Sequence, residues 1–162
     1  MMGSAPTRVR IGLPGVIGMV FTRRTATTTR PRTGWPTAVE RFARAVHRFS
    51  DRIEVIPDRG LRAELRDLGT VLGTALADVR QSPRGRASPR GQQVRGVENA
   101  LAVRAVLRAG TLCAQATEAA VLAATASRSR RPDDVARHVE TVRALTVEIR
   151  ELADSCRITP DH

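Results

Sequence analysis

From Val39 onward, apolar residues recur at intervals of three and four along most of the chain. That period fits the 3.6-residue turn of an α-helix and not the strict alternation of a half-buried strand. Val39, Phe42, Val46, Phe49, Ile53 and Ile56 form the first such stripe, and Pro57-Asp58-Arg59-Gly60 ends it. Leu61, Leu65, Leu68, Leu72, Ala75 and Val79 form the second. Val135, His138, Val142, Leu145, Ile149, Leu152 and Cys156 form the last, opened by Pro132-Asp133-Asp134, a proline and two acids that suit a helix start. Between them runs a longer segment whose main polar stripe is Arg104, Arg108, Gln115 and Glu118, so most of its circumference is Ala, Leu or Val. These patterns place helices near 37–56, 61–80, 93–127 and 133–157.

Four amphipathic helices with short connections imply an all-α protein, an antiparallel up-down-up-down four-helix bundle over 37–158. Aromatics make up 2% of the residues, so its core must be aliphatic. The third helix is expected to be central and largely buried, with Gly110 kinking or dividing it. Gly69, Gly73 and Ala77 form a small-residue ridge on the second helix, and Ala116, Ala120 and Ala124 form another on the third. A glycine inside a helix costs about 1 kcal/mol relative to alanine. Close backbone approach would offset that, so both ridges are expected to pack tightly, within the bundle or across a dimer.

Residues 1–36 are rich in Thr, Arg, Gly and Pro and are expected to be a disordered basic tail. All 27 basic residues of the chain are Arg, Tyr is absent, and Asn99 is the sole asparagine. This is the residue economy of a GC-rich, bacterial genome rather than selection for guanidinium groups. The net charge of +11 is concentrated in the tail, which has six Arg and no acid before Glu40, and in an acid-free stretch holding Arg80, Arg84, Arg86, Arg90 and Arg95. Such a balance permits association with nucleic acid. Within the stretch, Pro83-Arg84-Gly85-Arg86 resembles the AT-hook, whose Arg-Gly-Arg lies in the narrow minor groove of A/T-rich DNA. That resemblance implies nucleic-acid contact by Arg84, Gly85, Arg86 and Arg90, with Arg84 and Arg86 inserting. Ala87 stands where the family has a second Pro, and a plain linker is the other reading.

The inward stripes of the first, second and fourth helices contain no Asp or Glu, and the chain has no Glu-x-x-His, no His-x-x-x-His, no Cys-x-x-Cys and no phosphate-binding glycine loop. A di-iron bundle site and the common nucleophile and metal motifs are therefore not expected, nor are catalytic residues, a metal or a cofactor. His138 is the strongly polar member of an inward stripe, read as structural. His47-Arg48-Phe49-Ser50 resembles the acceptor segment of histidine phosphotransfer domains, themselves four-helix bundles, though the usual basic residue and Gly after the His are missing. Trp35 is expected to anchor the tail to the bundle. Cys113 and Cys156 lie offset by about eight residues, roughly 12 Å along a helical hairpin at 1.5 Å per residue, too far for a disulfide. Reduced cysteines suit the cytoplasm. No segment is long enough to span a bilayer, and Gly12, Pro14, Gly15 and Gly18 interrupt the apolar run Ile11–Phe21 that might pass for a secretory core.

The expected function is therefore a non-enzymatic interaction module, binding a protein partner or itself. Nucleic-acid binding through the Arg-rich segment and tail is one alternative, and a bundle that binds a small molecule near Gly110 or His138 is another.

Overall fold

A computed structural model describes residues 34–82 and 95–157, with side chains of the third helix described from Asn99 onward. Four helices account for nearly all of it: α1 (Trp35–Glu54), α2 (Arg59–Gln81), α3 (Arg95–Arg128) and α4 (Pro132–Ser155). No strand occurs among the described residues. Residues 1–33 of the expected disordered tail lie outside them, while Gly34 precedes α1 and Trp35 and Pro36 belong to it.

Helix α1 opens at Trp35 because Pro36, lacking an N–H, fits the first turn, where that donor has no helical partner. The helix thus starts two residues earlier than its apolar stripe suggests. Trp35, Ala38, Phe42, Val46, Phe49 and Ile53 are buried along one face. Asp58 then caps α2, its Oδ1 accepting the Leu61 N–H at 3.1 Å, so α2 also begins two residues ahead of Leu61. Its Oδ2 accepts the Ser127 hydroxyl at 2.7 Å, tying the α1–α2 turn to the end of α3. Both bonds favour the carboxylate, Ser127 most, and hold Asp58 below its ordinary value.

Helix α3 runs unbroken through Gly110 for 34 residues, so the glycine neither splits nor ends it. A Cβ at Gly110 would lie 3.6 Å from the Cα of Phe42 and 3.7 Å from its N. The two backbones pass closely here, and the missing side chain lets them. The α3–α4 turn is a Schellman closure. Arg130 has φ 54°, its N–H bonds to Ser127 O at 3.0 Å, and the Arg131 N–H reaches back to Ala126 O at 3.0 Å.

Helix α4 buries Val139, Val142, Thr146, Ile149 and Ala153, followed by Cys156. Val135, His138, Leu145 and Leu152 are only half-buried. The face toward the core is thus rotated from the expected stripe. Thr146, not His138, is the buried polar residue, and its hydroxyl donates to Val142 O at 2.8 Å.

Chain order is not the order around the bundle. Helix α3 packs on α4 and α1, α2 packs on α1 and α4, and α2 barely touches α3. The circuit is α1-α2-α4-α3, with α2 and α3 across a diagonal. Consecutive helices alternate in direction, so α1 and α3 are parallel neighbours, as are α2 and α4. Arg143 bonds Glu64 at 2.9 Å between the latter two. At the opposite end of that pair, Asp78 lies 3.5 Å from Arg150 and 3.3 Å from Arg157, although its buried Oδ2 lacks the alignment of a hydrogen bond. The Ser82 hydroxyl, itself buried, donates to Cys156 O at 3.0 Å and pins the end of α2 to the end of α4.

Candidate interaction face

Because α1 and α3 are parallel neighbours, the outward shoulders of both helices border a single long groove. Its volume is about 1000 Å³, and its lining comes from these two helices and Val55, the residue that caps the end of α1. Ala45, Ala114 and Thr117 keep the floor low at one end and in the middle. Val55, Val121 and Leu122 gather at the other end and remain 73%, 44% and 51% exposed. Three of the six large apolar side chains that the described residues expose therefore converge on this one feature.

The rim is charged. Arg48, Asp51 and Arg52 stand on α1, and Glu118 stands on α3. None of the four has an ion-pair or hydrogen-bond partner among the described residues, whereas Glu40, Glu54, Glu64, Asp134, Glu140 and Glu148 all pair with arginines elsewhere on the surface. Two unpartnered carboxylates thus stand beside two unpartnered guanidiniums on this face, while Asp67, Asp133 and Glu151 are the other carboxylates without a partner among the described residues.

The residues singled out from sequence fall elsewhere. Arg84, Gly85, Arg86 and Arg90, with the AT-hook-like segment, lie outside the described residues. The two small-residue ridges do not meet, since α2 and α3 are diagonal. A Cβ at Gly69 would meet Phe49 and Ile53 of α1 at 3.4 and 3.5 Å, while one at Gly73 would meet nothing within 4 Å, and Ala77 is exposed. Ala116, Ala120 and Ala124 are buried in the core.

The interior offers little chemistry. Cys113 is fully buried, and burial pushes its thiol up to about 12, away from the thiolate that nucleophilic or metal chemistry requires. Cys113 is a free thiol. No cluster of three metal-ligating side chains occurs among the described residues. His47 is exposed. The space beside Gly110 is taken by the backbone of Phe42. No described helix is long and apolar enough to cross a membrane.

What fold and face define is a four-helix bundle with an apolar groove between parallel helices and a core that, against the expectation of a purely aliphatic one, holds Trp35, Phe42 and Phe49 among its aliphatic side chains. Compared with protein families, with curated proteins and with solved structures, the chain matches none.

The groove was not foreseen from the sequence, although the signal was present. Apolar residues surround α3 almost evenly, more than two neighbouring helices can cover, and the uncovered remainder is Leu101, Val121 and Leu122.

Proposed function

We propose that this chain is a non-catalytic helical-bundle module that binds another polypeptide through the α1–α3 groove. The observation that carries the reading is the coincidence of exposed Val55, Val121 and Leu122 with four unpartnered rim charges. Contiguous apolar surface bordered by polar groups is costly to leave in water and characteristic of protein-binding faces. The apolar interior and the raised Cys113 thiol support a binding role over a catalytic one.

A photo-crosslinking amino acid placed at Leu122 in the producing cell tests this. Irradiation is expected to give a covalent adduct with a polypeptide, and Val55→Asp in the same chain is expected to abolish it. An unmodified chain after irradiation, or an adduct indifferent to Val55→Asp, would reject the face as a binding site.

A further inference from the structure

Resting on the groove as a protein-binding face, we infer that its occupant is a second copy of this chain. The two copies meet about a two-fold axis along the groove, so that α1 of each lies over α3 of the other. The first argument is charge. The groove rim balances Arg48 and Arg52 against Asp51 and Glu118. The charges are also divided between the walls: the α1 side of the groove carries Arg48, Asp51 and Arg52 and the α3 side carries Glu118, so each wall complements the opposite wall of an identical copy.

Geometry selects the axis. Gly110 lies opposite Phe42 at one level, and the groove runs onward to Val55 beside Val121 and Leu122, so levels along the parallel helices correspond. An axis along the groove brings each level of α1 over the same level of the partner's α3. Arg52 then falls within a helical turn of Glu118, and Val55 meets the Val121–Leu122 pair. An axis across the groove would instead place α1 on α1 and α3 on α3, opposing Arg48 to Arg52 and Glu118 to Glu118, and like charges reject that arrangement.

The test is a charge-reversal exchange in the full chain, read by light scattering and sedimentation from nanomolar to high micromolar concentration. The wild type is expected to be a dimer. Arg52→Glu alone and Glu118→Arg alone each oppose like charges and should weaken dimerisation by an order of magnitude or more. An equimolar mixture of the two variants, and the chain carrying both changes, should each recover it. Both side chains concerned are on the surface, so unchanged melting curves verify the fold. A monomeric wild type, single variants that dimerise as well as the wild type, or a mixture that fails to recover would each overturn the inference. The two readings separate cleanly. A monomer whose Leu122 crosslinks to a different polypeptide overturns the second copy and leaves the binding face standing, while a monomer with no adduct overturns both.

Discussion

Arg130 holds a φ of 54° to close α3, a conformation in which a Cβ is strained by about 1–2 kcal/mol and glycine is not. Its side chain is exposed, so Arg130→Gly should raise stability by about 1 kcal/mol, measured as a higher urea midpoint at unchanged slope. Gly73 is the second such position. The expectation that each helix glycine in α2 is offset by packing holds for Gly69, which lies against Phe49 and Ile53, but not for Gly73, which faces open space. Gly73→Ala should therefore stabilise by about 1 kcal/mol through helix propensity alone, seen as a melting temperature raised by a few degrees. Spacing in the sequence pairs these two glycines as one ridge. Only the positions of neighbouring helices separate them, and those are not written locally in the chain.

At the level of the element, four helices could be read from the sequence because period and punctuation agree. Pro36, Asp58 and Pro132 each mark a start by a mechanism that operates within one turn. The rotational phase of α4 was harder to read. Two apolar ladders run along it, one through Leu145 and Leu152 and one through Thr146 and Ala153, and both include Val142 and Ile149. Hydrophobicity favours the leucines, but the core admits the smaller pair, and the leucines settle on its flanks. The consequence is measurable. Ile149→Ala removes a fully buried side chain and should cost about 2–5 kcal/mol in denaturant unfolding. Leu145→Ala should cost distinctly less, and His138→Ala should stay within about 0.5 kcal/mol of wild type, as surface changes usually do.

For the whole molecule, acid should act first through the α1–α2 turn. Hydrogen bonds from Arg66 hold Glu54 below its ordinary value, and the Ser127 hydroxyl with the Leu61 N–H does the same for Asp58. A carboxylate depressed on folding adds stability that is complete above its unfolded value. That stability is lost as pH falls through the folded value, here below the ordinary values of 4.5 and 3.8. Melting temperature should therefore fall on acidification through that window. Replacing both residues, with Glu54→Gln and Asp58→Asn, should flatten the fall, which thermal scans across pH will show.

Direction along the bundle was legible, since consecutive helices alternate, but the circuit α1-α2-α4-α3 was not. Residues 83–94 are numerous enough for either a neighbouring or a diagonal connection, and nothing in their composition chooses between the two. The diagonal divides the molecule in an unexpected way. Each half of the chain is a complete helical hairpin, α1 with α2 and α4 with α3, and the halves are joined by a single covalent segment. Cutting the gene between Ser82 and Arg95 would therefore yield two polypeptides whose complementary faces are already contiguous in sequence. Such halves are suited to reassembly from separate chains, so this bundle could serve as a two-part reporter that signals only when its pieces are brought together.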